Sequence, residues 1–226
     1  MCHSLQLAVS PASANSLSRN SEFFVSETYK WFTLSSQRQL FYKSVYEAIN
    51  DGLTTLKIPA GCKTRWLSIE PAVGRIVSQC LESKTHFGIV RLKEKCYTAE
   101  ILAEMYRDEE NFAFLLFMHP FLEEVQRFNR LFEENTMDKT KLFDDFSLLI
   151  QSIANKLIIP RARIDIFHII FEDYLDSRPY LGFRFERKSE DLKHTNVVTN
   201  EEELYLRKFS KVPSALVPAT ETKATR

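Results

Sequence analysis

Apolar residues recur at intervals of three and four along most of this chain, which is the spacing of one face of an α-helix. The pattern predicts a first helix from Ser21 or Glu22 to Phe32, with Phe24, Val25, Thr28 and Phe32 facing inward. Ser35 or Ser36 then caps a second helix whose buried stripe is Leu40, Phe41, Val45, Ala48 and Ile49. Gly52, just past its end, suits the left-handed stop that closes many helices. Leu56 and Ile58 read as extended backbone running into a hinge at Pro59 and Gly61. A strong start signal follows: Ser68 as cap, Glu70 in the first turn, and Pro71 where no backbone donor is needed. Val73, Ile76, Val77, Cys80 and Leu81 mark the face of this helix, which is expected to reach Ser83 and continue to Leu92, with Gly88 as its weak point.

Thr98 is the expected cap of a helix carrying Ile101, Leu102 and Met105, and Asp108 the cap of the next. From Asn111 to about Asn135 nearly every position fits a helix that is apolar all round at its start, as a buried helix must be. Pro120 is expected to kink or split it. Asp138 or Thr140 opens another, with Leu142, Phe143, Phe146, Leu149, Ile150, Ile153 and Leu157 as its stripe and Pro160 at its end. Ile164, Phe167, Ile170, Phe171 and Tyr174 suggest one more, shorter helix. Beyond Pro179 the text turns charged: Gly182 to Phe185 reads as a short extended piece, residues 188–200 as a loop, 201–211 as an isolated helix, and 212–226 as a disordered tail. The expected fold class is mainly α, an irregular multi-helix domain over residues 21–185. Residues 1–20 precede it as loop or disorder, and residues 186–226 follow as charged loop, short helix and tail.

Composition sharpens this. Eighteen phenylalanines and only five glycines favour helices with bulky aromatic faces over a turn-rich β protein. Lys plus Arg and Asp plus Glu each number 30, so the formal charge is zero, and a nucleic-acid-binding module of this size would usually be basic. Cys2, Cys62, Cys80 and Cys96 show no close metal spacing, and no two histidines fall at HxxxH, so no metal or other cofactor is expected and a reducing, intracellular setting is the simpler account. The longest apolar run, Phe112 to Met118, is too short to span a bilayer, and no membrane association is expected.

Candidate chemistry is sparse. No GxSxG, GxxxxGK[ST] or GxGxxG occurs. The acidic pairs Glu109-Glu110, Glu123-Glu124, Glu133-Glu134 and Asp144-Asp145 are neighbours on helices, so their side chains diverge by about 100° and read as solvated faces. Cys62, beside Lys63 and Arg65, has cationic neighbours that favour a thiolate, yet a structural cysteine remains the plainer reading.

Thr64-Arg65-Trp66-Leu67-Ser68 resembles the TRW-[NL]-S segment of the hAT superfamily of transposases, particularly its domesticated or degenerate animal copies. Cys2-His3-Ser4-Leu5-Gln6-Leu7-Ala8 is similar to the CxxH-x-L-x-L element upstream of that segment, and Glu27-Thr28-Tyr29-Lys30-Trp31-Phe32 to the ETYxWF stretch between the two. Cys96 to Ala99 and Leu131-Phe132 fit as well. The resemblance implies an RNase H-like core interrupted by a large helical insertion, and catalysis by two aspartates and a late glutamate. Both aspartates would precede the His-x-Leu-x-Leu element and have no counterpart here, nor has the glutamate. The opening motif is itself incomplete, since its first cysteine would lie before Met1. The chain therefore resembles the insertion domain with a stub of the core, residues 1–20, and is expected not to be an enzyme.

The same resemblance places an arginine and a base-stacking tryptophan at Arg65 and Trp66, with Lys63 beside them, as the candidate DNA-binding residues. Without the catalytic half, that site lacks its opposite wall. The favoured expectation is a protein-interaction module, self-associating or binding a protein partner through Phe23, Phe24, Trp31, Phe41 and Tyr42. Residual DNA binding is the lesser alternative, and a relic with no selected function is a third. Location would be nuclear if a transposase-like role were kept, and otherwise cytoplasmic.

Overall fold

The computed structural model describes residues 19–55, 57–59, 69–133, 141–159, 171–176 and 179–194. Among these the protein is mainly α-helical: α1 Arg19–Thr33, α2 Ser36–Ile49, α3 Glu70–Ser78, α4 Cys80–Glu94, α5 Tyr97–Arg107, α6 Glu109–Glu133, α7 Leu142–Asn155 and α8 Phe183–His194, with a 3-10 turn at Phe171–Tyr174. The only sheet-like pairing among the described residues is a single antiparallel bridge between Ile158 and Leu175. Two compact units divide between Gln126 and Arg127, inside the stretch 21–185 that the sequence reads as one domain.

The unit of residues 17–126 is built on α1, α2, α4 and α5. Helices α4 and α5 pack most extensively, α2 lies against α1 and α4, and α1 also meets α3 and α5. Phe24, Val25, Thr28 and Phe32 are buried on α1, as their spacing predicts, and Trp31 joins them. Ser35 caps α2, its hydroxyl accepting the Arg38 amide at 3.4 Å. Gly52, at φ +83°, closes it by donating to the Glu47 carbonyl at 2.8 Å.

The inward face of α2, however, differs from the expected stripe. Tyr42 and Val45 are buried, whereas Leu40 is 67 % exposed and Ala48 is open to solvent. Counting hydrophobic residues favoured Leu40, but the amphipathic Tyr42 ring has a hydrogen-bond partner inside and takes the core position.

The long helix expected after Ser68 is two helices. Its break falls at Gln79 rather than at Gly88, through which α4 runs uninterrupted. Gln79 donates its amide to Arg75 at 3.0 Å to end α3, while its carbonyl accepts from Ser83 to begin α4. Its buried side chain accepts the Tyr42 hydroxyl at 3.0 Å, a tertiary contact that holds the break. The inward face then rotates, so Val73, Ile76 and Val77 are buried but Leu81 is 62 % exposed. Ser68 lies outside the described residues, and the cap position is Ile69, whose side chain makes no cap hydrogen bond.

Two further starts were expected, and they differ in outcome. Thr98 is inside the first turn of α5, with Cys96 at the cap position. Asp108 does cap α6, its carboxylate accepting the Glu110 amide at 3.0 Å. Helix α6 carries Pro120 inside one continuous helix instead of splitting there. Its buried residues from Ala113 to Met118 occupy consecutive positions, consistent with the apolar surface expected on every side.

In the unit that contains the chain from Arg127 onward, Phe128 packs on Phe146 at a centroid distance of 6.0 Å. Ile150, Ile153 and Ala154 form the buried face of α7 and Leu157, just past its end, is buried too, while Phe143, one turn before the Phe146 contact, is 74 % exposed. The chain then reverses, with Ile159 donating to Tyr174 at 3.1 Å and Asp176 to Leu157 at 2.7 Å. Where a short extended piece and a loop were expected, α8 runs from Phe183 to His194. Gly182, at φ +101°, offers its carbonyl to the Phe185 and Glu186 amides, and the Glu186 carboxylate reaches back to the Leu181 amide at 3.3 Å. This reciprocal start, like a capping box, together with Phe185, Ser189 and Leu192 buried at helical spacing, outweighs the many charges that suggested a loop. Expectations for residues 1–18, 60–68, 134–140, 160–170 and 195–226 fall outside the described residues.

Candidate functional site

The residues expected to contact DNA, Lys63, Arg65 and Trp66, lie outside the described residues, as does Cys62. The partner-binding aromatics are placed differently from expectation. Phe23 is 42 % exposed and Phe41 half-buried, but Phe24, Trp31 and Tyr42 are core residues exposed by 5 % or less. They are inside because α1 and α2 close over α4 and α5, which cover these rings.

What those rings enclose is an aromatic and polar cluster centred on His86, which is fully buried on α4. The Trp31 indole N–H donates to His86 Nε2 at 3.2 Å. An accepting Nε2 puts the proton of the neutral ring on Nδ1, and Nδ1 has no hydrogen-bond partner among the described residues. Around the imidazole stand Phe32, Phe41, Tyr42 and Phe87, with ring centroids 5.2 to 5.5 Å away. Burial, and secondarily the Arg38 guanidinium, pull the His86 pKa down to about 4. It is thus a neutral member of the core at ordinary pH. The Arg38 side chain lies over Trp31, 3.4 Å from the ring centroid, and is held there by Glu94 at 2.9 Å.

A second layer of polar contacts continues inward. Besides donating to Gln79, the Tyr42 hydroxyl lies 3.4 Å from Ser83 Oγ, and burial raises its pKa to about 12. Tyr106 stacks on Phe87 at 5.2 Å and donates to Thr28 Oγ1 at 3.4 Å; burial drives its pKa up as well. Asn50 donates to the buried Glu82 carboxylate at 2.8 Å. Tyr, Ser, His and Glu thus sit close together, but each is tied to a structural partner, and none of the hydroxyls contacts the imidazole. These contacts tie four helices together.

Two surface grooves flank α2. One, of about 450 Å³, is lined by Phe32, Leu40, Tyr42 and Ile58, with Lys43 and Lys57 among its polar residues. The other, of about 640 Å³, is bordered by Phe41, Val90, Arg38, Lys93 and Glu94. The first has apolar walls with lysines beside them; the second is partly neutralised by its own ion pair. Sequence spacing misses the first groove because it depends on Leu40 turning outward and on Ile58, seventeen residues beyond Phe41, folding back beside α2.

Glu109 pairs with Lys84, and Asp144 faces solvent. No group of three or more His, Cys, Asp or Glu side chains that could hold a metal ion occurs among the described residues. None of the described helices is long and apolar enough to cross a membrane. At the cap of α5, the Ala99 amide foremost, then that of Thr98, holds the Cys96 thiol below its ordinary range. No protein family, curated protein or solved structure matches the chain.

Proposed function

We propose that this chain is a transposon-derived, catalytically inactive helical protein that acts as a protein-interaction module. The apolar groove beside α2 carries the reading. Leu40 stands 67 % exposed at a groove walled by Phe32, Tyr42 and Ile58, and apolar surface gathered in a concavity is the usual mark of a protein contact. The three hAT-like motifs, in the family's order, support the transposon origin. The diverging acidic pairs support the lack of strand-transfer chemistry.

The lesser alternative keeps DNA as the partner, through Lys63, Arg65 and Trp66. Neutral net charge argues against it, because phosphate neutralisation dominates such affinity. The test is a sizing experiment with light scattering at two protein concentrations, run beside a salt series of DNA binding. Mass that grows with concentration, with no DNA bound at low salt, supports the interaction module. Salt-sensitive DNA binding lost in Trp66→Ala, with the protein monomeric throughout, overturns it.

A further inference from the structure

We propose that helix α4 is a dimer contact of this chain, its outer face packing antiparallel against the same face of a second copy. This rests on the interaction-module reading and names the partner and the contact.

Helix α4 buries one side, through Glu82, Ser83, His86, Phe87 and Val90. The opposite side carries Leu81, Thr85, Gly88 and Leu92. At about 100° per residue these four fall within an arc of about 60°, and Leu81 and Leu92 stand about 16.5 Å apart along the axis. The two leucines are 62 % and 72 % exposed, large apolar side chains left open by their own copy. The Thr85 hydroxyl donates to the Leu81 carbonyl of the same helix at 2.9 Å, so a partner can cover it without stranding a polar group.

Gly88 is a separate sign that a backbone approaches this face. Glycine weakens a helix interior relative to alanine. Within one copy nothing lies within 4 Å of where its Cβ would stand, so no contact inside the chain calls for it. A second backbone coming close from outside does.

The order of the four positions identifies that backbone as another copy. Leu81 and Leu92, and likewise Thr85 and Gly88, are placed evenly about one midpoint, between His86 and Phe87. With the helices turned antiparallel about a two-fold axis there, each Leu81 meets Leu92 of the other copy and each Thr85 meets Gly88. A large pair closes each end and a small pair sits at the centre, where the helix axes can approach to about 8 Å. Such a contact is isologous, so it closes at a dimer. Lys84 and Arg91 border one edge of the stripe, which the axis brings beside the same edge of the other copy. The Lys84–Glu109 pair offsets part of that charge. Association should therefore hold or tighten as salt rises, opposite to the DNA alternative.

This register allows a charge-complementation test on the full chain. Leu81→Glu and Leu92→Lys each put a charge opposite a leucine at both ends of that variant's own dimer. In a mixed dimer one end sets the glutamate opposite the lysine, and the other keeps its leucine pair. Both positions are exposed, and each charge suits its end of the helix, so circular dichroism should match wild type. Expected by light scattering at two protein concentrations is a wild-type mass that rises to a dimer and no further, each variant monomeric alone, and their equimolar mixture dimeric again. Gly88→Gln, which adds bulk where the copies come closest, should weaken the dimer about tenfold. A mixture that stays monomeric, or a Gly88→Gln chain that dimerises as tightly as wild type, overturns the antiparallel register. Association unchanged in both leucine variants overturns this contact and leaves the interaction-module reading standing. A wild-type chain monomeric at every concentration overturns the second copy as partner, and salt-sensitive DNA binding by that monomer overturns the reading beneath it.

Discussion

Acidification from about pH 7.5 to about pH 5 is expected to remove roughly 2 kcal/mol of stability through His86 alone. The imidazole has an ordinary pKa of 6.5, but in the fold burial lowers it to about 4. Between those values the unfolded chain binds the extra proton and the folded chain does not. Stability is therefore complete above about 6.5 and declines as pH falls. At about 1.4 kcal/mol per pH unit, the full effect below pH 4 is roughly 3 kcal/mol. Protonation would also cost the Trp31 hydrogen bond, because a charged imidazole has no accepting nitrogen. Nearby charges act with burial or are compensated: Arg38 opposes the proton, Glu94 is engaged with Arg38, Glu82 is bonded to Asn50, and Tyr42 stays neutral throughout. The assay is urea unfolding of wild type and His86→Gln at both pH values. Glutamine can still accept from Trp31 but cannot titrate, while all other titrations cancel between the two proteins. The variant should lose about 2 kcal/mol less than wild type on acidification. PH dependences that agree within about 0.5 kcal/mol would refute the assignment of a buried, neutral imidazole.

Four further substitutions separate backbone from packing effects by the same unfolding measurement. Gly88→Ala should stabilise by about 1 kcal/mol, because Gly88 is inside α4 with nothing within 4 Å of the added carbon. Gly52→Ala should destabilise by about 1 kcal/mol despite equally open space, since its φ is +83°. Lys95, which ends α4 at φ +44°, should give about 0.5–1 kcal/mol of added stability on replacement by glycine. Phe87→Ala, which empties a fully buried site stacked on Tyr106, should cost about 3–5 kcal/mol.

Much of the helical architecture was legible from spacing. Four-residue recurrence on α1, the Ser35 cap, the Gly52 stop and the Asp108 cap are local signals, set by neighbours within one or two turns, and they hold in the fold. The inward face of α2, the break at Gln79 and the burial of Trp31 and His86 were not legible in the same way. Each depends on a partner far along the chain: Tyr42 reaches Gln79, and Trp31 reaches His86 across 55 residues. The groove beside α2 likewise exists only because Leu40 turns outward as Ile58 comes alongside. Helix α8 shows the boundary between the two kinds of information. Its apolar spacing at Phe185 and Leu192 was written in the sequence, but its charged composition masked it until Leu181, Gly182 and Glu186 closed their mutual hydrogen bonds. Periodicity determines which segments coil, because helix hydrogen bonds are local. Which face of each helix is buried, and where a helix must break, is decided by polar groups that require partners inside the core.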